Sequence, residues 1–206
     1  MKYLGILIDE VLSWNKQIDE ICSKLSRANG ILSKLRHFVP QNICKSVYFS
    51  IFYTHLIYGC LVWSYTKQNN IDRLLKLQKR CVRILSFSGF NAHTIDIFHD
   101  LNLLKLNDIF EMNKIIFMYE YINDLVPDEI KRLFTLNNTV HSYETRSSNI
   151  FHIPKGITTR FGINTFSYDG AKTWNQFYLN FLYKETSLTK RKLSAFLKKH
   201  FLDNYV

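Results

Sequence analysis

Glycine and proline are scarce, at 7 and 3 of 206 positions. So few turn-formers leave little room for tight turns or Pro-rich linkers, and long helices are the expected architecture. Cysteine is equally sparse: Cys22, Cys44, Cys60 and Cys81 stand far apart, with no C-x-x-C pair. Each falls within or beside an apolar helical pattern, which predicts buried, reduced thiols rather than disulfides or a zinc site. The seven histidines show no spacing that would pair them with cysteines or carboxylates around a metal. There is no G-x-S-x-G elbow, no Gly-rich phosphate loop and no H-E-x-x-H. Asp9-Glu10 and His99-Asp100 are neighbour pairs without a converging third group, which general acid–base chemistry would need. Asp9-Glu10 fits a solvated turn. No catalytic residue, metal or cofactor is expected, and with no basic-then-apolar leader at the start the expected location is the nucleus or cytoplasm rather than outside the cell.

What is present excludes disorder. Hydrophobic residues make up 47%, with 16 Phe and 12 Tyr, so a packed core is affordable in conformational entropy. The net charge of +10 is unevenly spread. Residues 1–90 carry 13 Lys/Arg against 5 Asp/Glu, residues 91–135 carry 4 against 8, and residues 136–206 carry 10 against 4. Basic segments of this kind favour a polyanionic partner, since each neutralised phosphate releases counterions, although a generic basic surface has the same composition. Ser46 to Trp63 contains no charged residue, which just reaches the length of a membrane-spanning helix. Ser46, Ser50, Thr54, His55 and Gly59 interrupt it, so a helix buried in protein is the expected reading, with a membrane anchor as the alternative.

Along the chain, residues 2–8 read as a strand, and Val11, Leu12 and Trp14 as a second extended piece completing an N-terminal hairpin. From Lys16 to Phe38, Ile18, Ile21, Cys22, Leu25, Ala28, Leu32 and Leu35 form one apolar stripe at helical spacing. Pro40 then suits the start of a helix over Gln41–Trp63. A third helix is predicted over Asn70–Phe87, with Ile71, Leu74, Leu75, Gln78, Cys81, Val82 and Leu85 on one face. Arg73, Lys76, Arg80 and Arg83 cluster on its other face, with Lys79 near the border. That stripe could track a phosphate backbone or be a solvated helix face. After Ser88-Gly89, helices are predicted near Thr94–His99, Leu106–Asn123 and after Pro127, and beyond about residue 137 the periodicity weakens. A small β element is expected near 150–168, a helix over Phe166–Tyr178 and a basic amphipathic helix over Lys190–Leu202. The fold class is therefore mainly α with a short N-terminal β-hairpin, arranged as residues 1–90 and a helical region of residues 91–206. The cluster His141-Ser142-Tyr143-Glu144-Thr145-Arg146 could tie a loop together or hold a phosphate, with the structural role favoured on physical grounds.

Several of these pieces, taken in order, resemble the reverse transcriptases of non-LTR (LINE-type, jockey-like) retrotransposons. Lys2-Tyr3-Leu4-Gly5-Ile6 with Leu12-Ser13-Trp14 resembles the segment that follows the family's catalytic palm. Leu77-Gln78-Lys79 with Arg83 resembles a thumb helix; Ala92-His93-Thr94 and Leu101-Asn102-Leu103-Leu104-Lys105-Leu106 resemble the next stretch. His141, Tyr143, Thr145 and Arg146, then Trp174-Asn175, complete the series, although Gln176-Phe177 stands where the family usually has Leu-Pro. The resemblance implies a primer-grip role for Tyr3, Leu4 and Gly5, a thumb over the basic helix, and contact of Arg73, Lys76, Lys79, Arg80 and Arg83 with an RNA–DNA hybrid or template–primer duplex. It also implies a palm domain as a protein partner. The family's polymerisation uses metal ions held by palm aspartates, and no Asp-Asp occurs in this sequence, so the chain is expected to bind rather than catalyse. Two alternatives remain: a domesticated helical protein-interaction module, and a small membrane protein anchored by residues 46–63.

Overall fold

The computed structural model describes residues 1–137, 150–153, 165–180 and 189–205. It is mainly helical, with a two-stranded antiparallel sheet at the N-terminus. The chain forms two compact units, Met1–Phe110 with Lys198–Val206, and Glu111–Leu197.

The first unit opens on β1 (Lys2–Tyr3) and β2 (Ile6–Leu7), with Lys2 opposite Leu7 and Tyr3 opposite Ile6. The expected strand over residues 2–8 therefore folds back on itself. Leu4 and Gly5 both have positive φ, 45° and 82°, the sign that a two-residue hairpin turn with the twist of its strands requires. Val11, Leu12 and Trp14 do not supply the second strand. Asp9 gathers them instead: its carboxylate accepts the N–H groups of Ser13 and Trp14, both at 2.8 Å, that of Val11 at 3.2 Å, and the Ser13 hydroxyl at 3.0 Å. These bonds to the charged form hold the Asp9 carboxyl below the usual range, the backbone N–H of Ser13 contributing most. A lone hairpin is unstable in water; here helices hold it. The Leu7 N–H donates to Gln17 Oε1 at 2.8 Å, and the Tyr58 hydroxyl donates to the Leu4 carbonyl.

Helix α1 (Asn15–Leu35) buries Ile18, Ile21, Leu25, Ala28 and Leu32, with Cys22 and Leu35 half-buried at the edges of the stripe. The helix expected over Gln41–Trp63 is broken. It runs as α2 (Gln41–Tyr48), a π-helical turn (Phe49–Tyr53) and α3 (Thr54–Ile57), then stops before α4 (Cys60–Trp63). At the break Tyr58 is extended and Gly59 is left-handed, with φ 62°. Hydroxyls compete for the helix carbonyls along this segment: Ser46, Ser50 and Thr54 each donate to the carbonyl four residues back. The indole N–H of Trp63 then donates to the Tyr58 carbonyl freed by the break, at 2.8 Å. Tyr48, Phe52, Leu56, Cys60 and Trp63 are buried. The uncharged run is thus a core segment, and among the described residues no helix is long and apolar enough to cross a membrane.

Helix α5 (Gln68–Leu85) packs along α1, fastened by side-chain amides. Asn29 donates to the Leu77 carbonyl at 3.0 Å, Gln41 to that of Leu85 at 3.1 Å, and the buried Gln78 to that of Leu104 at 2.9 Å. Next come α6 (Ile95–Asp100) and α7 (Leu106–Ile122), whose Phe110 meets the Trp63 ring edge-on at 5.4 Å.

The second unit contains the rest of α7, α8 (Asp128–Lys131), α9 (Phe166–Asn180) and the start of α10 (Lys190–Asp203). Phe134 is the centre of its aromatic core, meeting Tyr121 at 5.1 Å and Phe151 and Phe166 at 5.6 Å. Phe151 also makes an antiparallel bridge with Leu136. Lys114 pairs with Asp169 at 2.6 Å, and Lys190 with Glu120.

Candidate nucleic-acid interface

The basic stripe sits on α5 because the opposite side of that helix is committed to the core. Ile71, Leu74, Gln78, Cys81, Val82 and Leu85 are buried, and the 3.6-residue repeat turns Arg73, Lys76 and Arg80 outward. Lys79 and Arg83 lie at the margins, half-buried.

The five cations are not equivalent. The Arg73 guanidinium is paired with Asp19 of α1 at 2.6 Å and also reaches the Asn70 side-chain oxygen at 3.3 Å. Arg83 Nε donates to the Ala92 carbonyl at 2.8 Å, pinning the loop that follows α5. Lys76, Lys79 and Arg80 have no ion pair or hydrogen bond among the described residues. These three are the cations of the stripe whose charge nothing described in the protein neutralises.

The hairpin residues lie elsewhere on the first unit. Tyr3 and Leu4 are exposed, and Gly5 occupies the turn between them and β2. Val11, Leu12, Tyr58 and Val62 are further exposed apolar side chains on this unit. His141, Tyr143, Thr145 and Arg146 lie outside the described residues. Trp174 and Asn175 are buried in α9. Asn175 accepts the Phe151 N–H at 2.9 Å and donates to the Phe151 carbonyl at 2.8 Å, a structural use of both ends of the amide.

One feature had no sequence signal. The Tyr205 hydroxyl accepts the Lys105 N–H at 2.8 Å and donates to Asp108, closing a loop across 100 positions of the chain. Burial raises the Asp108 carboxyl above its usual range, against the opposing effects of the Tyr205 hydrogen bond and the Lys105 charge. Among the described residues no group of three or more His, Cys, Asp or Glu is placed to hold a metal.

No family model and no solved structure matches the chain. Over 111 residues, 52% of its length, it is 28% identical to the RNA-directed DNA polymerase from mobile element jockey of Drosophila melanogaster. Over 117 residues, 55% of its length, it is 26% identical to the probable RNA-directed DNA polymerase from transposon X-element of the same fly. The matched stretches make up 12% and 13% of those two proteins. The chain is thus similar, over about half its length, to RNA-directed DNA polymerases of non-LTR retrotransposons.

Proposed function

We propose that this chain corresponds to the part of a retrotransposon RNA-directed DNA polymerase that follows the catalytic palm, and that it grips a template–primer duplex without carrying the catalytic centre. The observation that supports this most is the outward row of Lys76 and Arg80, flanked by Lys79, with no partner for any of the three among the described residues. Unneutralised cations along a rigid helix suit a phosphate backbone, which is itself a line of regularly spaced charges. Contacts to phosphates alone carry no sequence information, so binding to an RNA–DNA hybrid is expected to depend on salt and little on sequence. Arg73 and Arg83 take a secondary part, holding α5 to α1 and to the loop after it. The exposed apolar residues around the hairpin, Tyr3 and Leu4 with Tyr58, suit contact with a palm domain in a longer polypeptide.

Fluorescence anisotropy of a labelled hybrid over a salt series tests the proposal. The double variant Lys76→Gln/Arg80→Gln should bind more weakly and lower the slope of log affinity against log salt by roughly 2. An unchanged slope removes α5 from the interface.

A further inference from the structure

A pocket of about 420 Å³ opens in the first unit beside α5, within the range of about 300–1,000 Å³ typical of small-ligand sites. Its α5 wall carries Leu75 and Lys79, one helical turn apart, next to Lys76 and Arg80 in the adjoining row of the same helix. Ile95 and Phe201 add apolar surface, and Lys105 and His93 add a second ammonium and an imidazole.

Asp108, the one carboxylate among the described lining residues, is already engaged by the Tyr205 hydroxyl. Lys105 Nζ lies 3.8 Å from the centre of the Tyr205 ring. That cation–π contact orients the ammonium and leaves the N–H groups that point away from the ring able to donate. Neither Lys79 nor Lys105 has an ion pair among the described residues. Asp108 gives Lys105 a nearby negative charge, but a purely apolar ligand would leave the Lys79 ammonium without a counter-charge among the described residues, and a bare inorganic anion would leave the apolar wall wet. A ligand that carries an anion and a flat ring answers both surfaces.

We propose that this pocket takes one nucleotide unit, its phosphate on Lys79 and Lys105 and its base against Leu75, Ile95 and Phe201. The inference deepens the duplex-binding reading above, because a strand following Lys76 and Arg80 runs along the helix that forms the pocket wall. The shared chemistry, a phosphorylated nucleoside, could come from a free mononucleotide or from a strand.

Calorimetric titration of the full chain with AMP, adenosine and inorganic phosphate is the test. AMP should bind at least about tenfold more tightly than either fragment. Lys105→Gln should weaken AMP by about tenfold or more, and Lys105→Arg should retain binding. Competition by AMP against a labelled single strand identifies the strand as the source; saturable AMP binding without competition identifies the free nucleotide. The inference is overturned if adenosine or phosphate binds as well as AMP, if Lys105→Gln leaves AMP affinity unchanged, or if none of the three binds. The salt-dependent hybrid assay keeps the two proposals apart. Hybrid binding without AMP binding sinks only the pocket, and AMP binding without hybrid binding sinks only the duplex interface.

Discussion

Asn175 holds the main chain of Phe151 at both of its polar groups, accepting the N–H at 2.9 Å and donating to the carbonyl at 2.8 Å. The amide acts as one rung of a β-ladder supplied by a helix, and it fixes Phe151 against Tyr121 and Phe134. Removing it by Asn175→Ala leaves two buried backbone groups unpaired, each costing about 1–3 kcal/mol. The urea midpoint should fall accordingly. Asn175→Asp keeps the acceptor but faces the Phe151 carbonyl with a carboxylate, so its loss at neutral pH should shrink as acid protonates it. A midpoint unchanged in both variants would contradict this role.

Asp9 organises the loop ahead of α1, and its lowered pKa fixes the sign of a pH effect. Its contribution to stability is fully present above the unfolded value, 3.8, and is lost as pH falls through the lower folded value. Asp9→Ala should cost about 0.5–2 kcal/mol near neutral pH, the scale of a lost helix cap. Thermal unfolding of wild type and variant should converge as pH falls below the folded value of Asp9. A gap that persists in acid would mean the carboxylate is not the source.

Gly59 permits both the break before α4 and the approach of the hairpin. Its φ is 62°, and a Cβ there would lie 2.5 Å from Ile6 Cδ1. Gly59→Ala should destabilise by about 1–2 kcal/mol from the left-handed backbone alone, with the clash added. Ile6→Val removes the clashing methyl, so the Gly59→Ala penalty should be smaller in that background. A double-mutant cycle with no coupling would rule out this contact.

The cysteines should react in the order of their access. Cys22 is half-buried, whereas Cys44, Cys60 and Cys81 are buried. Burial pushes the Cys60 thiol up to about 11 and raises those of Cys22 and Cys81 as well. Only the thiolate reacts readily, so at pH 8 a thiol reagent should modify Cys22 first and the other three only on unfolding. Rapid labelling of all four in native buffer would count against the packing of α1 on α5.

Much of the helical framework was legible because helix periodicity is a local property. The apolar stripes of α1 and α5 are written at steps of three and four, and their buried residues follow those stripes. The basic row of Lys76 and Arg80 is legible for the same reason. The Gln41–Trp63 break was not, because composition alone does not reveal three hydroxyls bonding back to helix carbonyls or an indole claiming the Tyr58 carbonyl. The hairpin was shifted because Asp9 claims the residues assigned to its second strand.

The sequence by itself determined the mainly helical class, the core faces of α1 and α5, and where positive charge accumulates, since each depends on residues a few positions apart. Tertiary structure decided which charges stay available. It pairs Arg73 with Asp19 and spends Arg83 on the Ala92 carbonyl, leaving Lys76, Lys79 and Arg80 unpaired among the described residues. It also brings Tyr205 to Lys105 and Asp108. Contacts across tens of positions depend on how helices dock, and no local pattern of residue types encodes that docking.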